Sequence, residues 1–236
     1  MANQQQEPTK VQIEEFDVDA FRQQAAGTFE KYKNIVYGAL LLLVIVVGGL
    51  WAYFYMYKGP REKKAEEEIF RAEYLFGIDS FKLALDGRNL PGQQGNFTGL
   101  LDFIKEYSGT SAGSRAYFMA GASLLHIGKF EDAITYLKSY SGNDPLMQAQ
   151  VYGMLGDVKS ELNDVDAAYK YYLQAADHYP NEATSPIHLR KAALLLADLK
   201  KNNAEAVKLL ERLRKDYPKA AQVLAIDKDI VRLGGK

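Results

Sequence analysis

Cysteine is absent from all 236 residues. No disulfide, zinc-thiolate site, iron–sulfur cluster or cysteine nucleophile can be built from such a chain. The lipidated cysteine that anchors a bacterial lipoprotein is excluded with them. Histidine is scarce: His126, His178 and His188 are too few and too scattered to outline a metal site. An excess of either charge is lacking too, with 29 Lys and Arg against 30 Asp and Glu, net −1. A nucleic-acid binder ordinarily carries a basic excess, so no nucleic-acid partner is expected. There is no phosphate-binding glycine loop ending in Lys-Ser/Thr, no GxSxG, no HExxH and no GxGxxG after a strand. Ser, His and Asp all occur, but a triad is recognised by geometry and not by presence. The expectation is a protein that is not an enzyme, with no catalytic residue, cofactor or metal. Asn96-Phe97-Thr98 fits the N-glycosylation sequon, which matters only in a eukaryotic secretory context.

What the chain has is an ordinary globular composition, 47% hydrophobic and 25% charged, with one local departure. Ile35 to Tyr57 (IVYGALLLLVIVVGGLWAYFYMY) contains no charged residue over 23 positions. As a helix it spans roughly 34 Å, enough for a hydrocarbon layer of about 30 Å. Trp51, Tyr53, Tyr55 and Tyr57 crowd one end and Tyr32 and Tyr37 the other, as in an interfacial aromatic belt. A secretory signal begins earlier, is shorter, and ends in a small-x-small cleavage site, which Tyr57 does not precede. The segment reads as a retained anchor in a lipid bilayer. Arg22, Lys31 and Lys33 precede it; Lys58, Arg61, Lys63 and Lys64 follow it. That balance leans toward a cytoplasmic C-terminal domain, but long domains translocate despite flanking charge, so the residues leave topology open.

Residues 1–34 read as a polar tail, disordered over residues 1–10, leading into an amphipathic helix from Val18 to Lys33. Residues 58–236 read as the domain. Gly59-Pro60 suits a helix start. Residues 61–85 predict one long amphipathic helix through Ile69, Phe70, Tyr74, Leu75, Ile78 and Phe81. Asp86–Asn96 (DGRNLPGQQGN) predicts a loop, and Phe97–Tyr107 a further helix.

From Gly113 onward the chain repeats itself. Gly121 returns as Gly156, Ala133 as Ala168 and Pro145 as Pro180, each 35 residues on; Pro218 follows Pro180 by 38. Small residues at these positions let two helices approach closely, and a proline cannot continue the second helix. The unit resembles the tetratricopeptide repeat, a pair of antiparallel helices about 34 residues long. Residues 114–147 carry it as Tyr117, Ala120, Gly121, Leu124, Gly128, Ala133, Leu137, Tyr140 and Pro145. Residues 149–182 carry it as Tyr152, Leu155, Gly156, Lys159, Asn163, Ala168, Tyr172, Ala175 and Pro180. Residues 187–218 are poorer, with Leu194 in place of the glycine, while Ala206, Leu210 and Pro218 fit. Residues 61–112 predict a divergent opening repeat and 220–233 a capping helix. The fold class expected is all-α: a transmembrane helix at 35–57, then a tetratricopeptide-repeat α-solenoid.

The order of parts, with Asp79-Ser80-Phe81-Lys82-Leu83-Ala84-Leu85-Asp86-Gly87, the segment 104–113 (IKEYSGTSAG) and Gly156-Asp157, resembles the YfgM-like ancillary subunits of the bacterial Sec translocon, in their Bacteroidota branch. The resemblance implies a single-pass inner-membrane protein with a cytoplasmic N-terminus and a periplasmic repeat domain. It implies Sec translocon subunits, a periplasmic chaperone or prolyl isomerase, and unfolded client proteins as partners. The alternative is an import or chaperone receptor with a cytosolic repeat domain. Solenoid curvature creates a concave binding face, and the repeat frame places Arg115, Phe118, Leu125 and His126 on it, then Gln150, Asp157 and Glu161, then His188, Lys191, Leu195 and Asp198.

Overall fold

A computed structural model describes residues 18–87 and 97–235, and side chains from residue 30 onward. The polar tail over residues 1–10, Asn96 of the sequon and most of the Asp86–Asn96 loop lie outside the described residues. The chain divides into two units, residues 1–57 and 58–236.

The first unit is helix α1, Val18–Ala52, followed by a π-helical stretch, Tyr53–Lys58, that runs into the second unit. Leu41, Leu42, Leu43, Val44 and Ile45 are each more than half exposed. An unbroken row of exposed Leu, Ile and Val is the kind of surface that an apolar surrounding favours. This is a helix long and apolar enough to cross a membrane. Tyr53 stacks on Tyr57 and Trp51 on Tyr55 near its end.

The second unit is built of helix pairs: α2 (Gly59–Gly77) with α3 (Phe81–Asp86) and α4 (Leu100–Tyr107); α5 (Ser111–His126) with α6 (Phe130–Lys138); α7 (Pro145–Glu161) with α8 (Val165–His178); and α9 (Ser185–Asp198) with α10 (Asn203–Asp216). Two short helices, α11 (Pro218–Val223) and α12 (Ile226–Arg232), close it. Every described element is helical. Each first helix packs on its own second helix, and each second helix packs on the next first helix.

Local chemistry sets these boundaries. Thr110, Asp144, Asp164 and Asn202 accept hydrogen bonds from the first-turn amides of α5, α7, α8 and α10, satisfying donors that have no partner within the helix. Pro145 and Pro218 sit in the first turns of α7 and α11, where a missing N–H costs nothing. Pro145, which closes one repeat, therefore also opens the next, and Pro218 opens the closing helices, whereas Pro180 precedes α9 by five residues and Pro186 takes its first turn.

The turns inside the pairs share a left-handed residue, the last turn being one residue longer than the other three. Asp79, Gly128, Asn163 and Lys201 all have φ between 55° and 77°. Beside them, the Ser80, Lys129, Asp164 and Asn202 amides donate back to the carbonyls of Leu75, Leu124, Lys159 and Leu196 at 2.8–3.0 Å. This left-handed C-terminal cap tethers the last carbonyls of a helix and reverses the chain. Finding it at Asp79 gives α2 and α3 the same corner as the repeats that follow, despite their divergent sequence. It also corrects the single helix expected over residues 61–85, which breaks at Ile78–Ser80.

The expected close approaches are present. A β-carbon at Gly121 would lie 2.5 Å from Leu137 Cγ, and one at Gly156 would lie 2.6 Å from the Tyr172 ring. One core runs from Ala65 on α2 through Phe103, Tyr107, Leu137 and Val151 to Val158 on α7. A second joins Tyr172 on α8 to Leu189, Leu210, Leu213, Ile226 and Ile230. The single capping helix expected over residues 220–233 is two helices, because Ala225 adopts φ 51° and turns the chain between them. Ile226 and Ile230 then seal the last pair.

Candidate functional site

The first helices α2, α5, α7 and α9 form a row, and two charge clusters tie neighbours in it together. The Arg115 guanidinium on α5 donates to both Glu66 carboxylate oxygens at 3.0 and 2.7 Å and to Glu73 Oε1 at 3.1 Å, both on α2. The Glu66 bond holds Arg115 further into its charged form and pulls Glu66 below the usual carboxylate range. These groups are a third to a half exposed, so solvent screens the pair and its worth is about 1 kcal/mol or less.

The second cluster joins α7, α8 and α9. Lys191 Nζ donates to both Asp157 oxygens at 2.7 and 2.8 Å, and the Tyr172 hydroxyl donates to Asp157 Oδ1 at 2.8 Å. Burial, reinforced by the Asp157 charge, pushes the Tyr172 phenol well above its ordinary value. One turn before Lys191 lies His188, 4% exposed, with neither ring nitrogen hydrogen-bonded among the described residues. Burial, aided by Lys191 and opposed by Asp157, lowers the imidazole to about 4. His188 is therefore neutral at pH 7.

Bridges between repeats recur at one repeat's spacing. Asp157 and Lys191 are 34 residues apart, as are Asp166 and Lys200, and Asp177 and Arg212 are 35 apart. Equivalent positions on stacked units are neighbours in space.

Two stretches match the tetratricopeptide-repeat family, residues 149–182 and residues 189–220. The fold is a tetratricopeptide-repeat solenoid. No curated protein and no solved structure matches the chain. The matches cover α7–α8 and α9–α10; α5–α6 before them has the same corner and the same glycine close approach, and α2–α3 the same corner. Such solenoids are protein-interaction scaffolds that bind along an extended surface.

On this solenoid the residues assigned from sequence divide into groups. Arg115, Asp157 and Lys191 form the two clusters. Phe118, one turn from Arg115, and Leu125 are half-buried against the first core. Gln150, two turns before Asp157 on α7, is half-exposed, and Glu161 ends that helix exposed. His126 is exposed and stacks on Phe81 at 4.3 Å. Asp198 is exposed and lies 3.8 Å from Arg232. His188 and Leu195 are corrections: both are buried, Leu195 in the second core, so neither offers a surface. Glu66, Glu73 and Tyr172 complete the clusters without having been expected there. Among the described residues, no three His, Cys, Asp or Glu side chains converge as metal ligands.

The electrostatic character of the row follows. Arg115 is matched by two carboxylates and Lys191 by one. Two inter-helix cations that an acidic ligand could have used are thus already neutralised. Beside them the face offers Phe118, Leu125, Met154 and Gln150.

Proposed function

We propose that this protein is a membrane-anchored, non-enzymatic scaffold of the bacterial Sec translocon. Its solenoid would stand in the periplasm, with the N-terminus in the cytoplasm. It would hold a periplasmic chaperone or prolyl isomerase near emerging secreted or envelope proteins. The observation that carries this reading is the internal neutralisation of Arg115 and Lys191. A receptor for acidic chaperone tails needs free cations in its groove to pair with the incoming carboxylates. A face whose cations are spent within the domain suits apolar and uncharged stretches of unfolded chain. The resemblance to YfgM-like subunits adds the compartment and the channel.

A second reading rests on Lys58, Arg61, Lys63 and Lys64, which follow the span and favour a cytosolic domain under the positive-inside rule. That arrangement would suit an import or chaperone receptor. Brief crosslinking in native membranes, purification of the full-length chain in mild detergent and mass spectrometry separate the two. Sec channel subunits together with a periplasmic chaperone are the expected co-purifying proteins. Cytosolic chaperones or precursor proteins in their place would overturn the proposal.

A further inference from the structure

An open pocket of about 400 Å³ lies where the link from α4 to α5 meets the link from α6 to α7. Helices α5 and α7 both begin on its wall. Their first turns have little left for an anion. Glu62 accepts from the Ser111 amide, Thr110 from that of Gly113, and Asp144 Oδ1 from those of Leu146 and Met147. What the pocket offers instead is hydroxyl. Ser108, Ser111, Ser114, Tyr140 and Ser141 all line it. Tyr140 is 9% exposed, and among the described residues its hydroxyl has no hydrogen-bond partner. A β-carbon at Gly142, on the pocket wall, would lie 2.1 Å from that oxygen, so the phenol ends at the wall. Burial, reinforced by the Asp144 charge, pushes the Tyr140 phenol up, and it stays a donor at pH 7. A buried donor without an acceptor carries a cost that a ligand can remove. Asp144 Oδ2, too, has no hydrogen bond among the described residues. Unspent donors therefore stand beside one unspent carboxylate oxygen.

Position points to the source of a ligand. Lys58 lines the same pocket and is the residue that follows the 35–57 span directly. A residue bonded to the end of a span lies among the headgroups that border it. We propose that this pocket binds the headgroup of a zwitterionic aminophospholipid, of the phosphatidylethanolamine kind. The phosphate oxygens accept from Tyr140 and the serine hydroxyls, and the ammonium of the same headgroup donates to Asp144 Oδ2. The charges select among headgroups. Arg115, at the pocket, is already matched by Glu66 and Glu73, while Glu62 and Asp144 are negative. A headgroup of net negative charge is thus disfavoured, and a trimethylammonium has no N–H for Asp144. The inference rests on the anchor reading, which supplies the bilayer.

Native mass spectrometry of the full-length chain in mild detergent tests this, with phosphatidylethanolamine, phosphatidylcholine and phosphatidylglycerol titrated singly. The expected result is one tightly held phosphatidylethanolamine, retained at about a tenth of the concentration that the other two require, as the loss of one charge-assisted hydrogen bond implies. Asp144→Asn keeps a capping residue but removes the charge, and should erase that preference. Tyr140→Phe should weaken retention about fivefold and leave the order of the three lipids unchanged. Equal retention of the three lipids by the native chain would overturn the inference, whatever the variants do. So would a preference that survives Asp144→Asn. Soluble phosphoethanolamine that displaces the lipid at equal concentration would overturn the bilayer as the source. Extraction of the chain from native membranes by alkali would overturn the anchor reading, and this inference with it. A chain that resists alkali and shows no lipid preference would overturn this inference alone.

Discussion

The imidazole of His188 on α9 occupies the space that a side chain at Gly153 on α7 would need: a β-carbon there would lie 2.1 Å from His188 Cε1. The glycine is a socket, and the ring fills it. Gly153→Ala should therefore destabilise the solenoid by about 1–3 kcal/mol through overpacking. In an open helix the same change stabilises by up to about 1 kcal/mol, so the sign is diagnostic. Chemical denaturation of both proteins measures it.

His188 also makes stability depend on pH. Its folded value is lowered to about 4 against an ordinary 6.5, so the unfolded chain takes up a proton first as pH falls. The His188 contribution to stability should be constant above about pH 6.5, decline between about 6.5 and 4, and level off below. The full loss is on the order of 3 kcal/mol. His188→Leu should flatten the unfolding free energy across that window. A variant with the wild-type slope there would contradict the assignment.

Gly121 and Gly156 face Leu137 and Tyr172 across their own helix pairs. Gly121→Leu should cost about 1–3 kcal/mol and lower the thermal midpoint. Unchanged unfolding would contradict the repeat frame.

Much of this was legible from spacing. The 35-residue recurrence of Gly121 and Ala133 located the helix pairs because every repeat needs the same close approach. Gly128 and Asn163, which belong to the repeat pattern, stand at the corners, where left-handed backbone suits them. Lys201 and Asp79 hold the same corner with residues that carry no such signal, which is why the long first helix read as unbroken. His188 fell on the exposed face by counting alone. Its burial depends on a glycine 35 residues earlier, which looks in sequence like any small residue. Glu66 and Glu73 reach Arg115 across 49 and 42 residues, a separation stretched beyond the repeat period by the segment between α3 and α4.

The two partners of Asp157 are not equivalent. Asp157→Ala leaves the Tyr172 hydroxyl, on a residue 4% exposed, without its acceptor. Lys191→Ala keeps that bond, and Lys191 itself is 41% exposed. Asp157→Ala should be the more destabilising, by about 1–2 kcal/mol, since a buried unsatisfied group is the costlier loss. Denaturant titration of the two variants compares them directly.

The central claim is that the row of first helices is the surface on which this anchored scaffold meets other proteins. A photo-crosslinking amino acid placed at Gln150 on α7, in the full chain in native membranes, tests it most directly. Lys170 on the exposed side of α8 serves as the control. The account predicts products with other polypeptides from position 150 and none from position 170. Capture at position 170 with none at position 150 would contradict it.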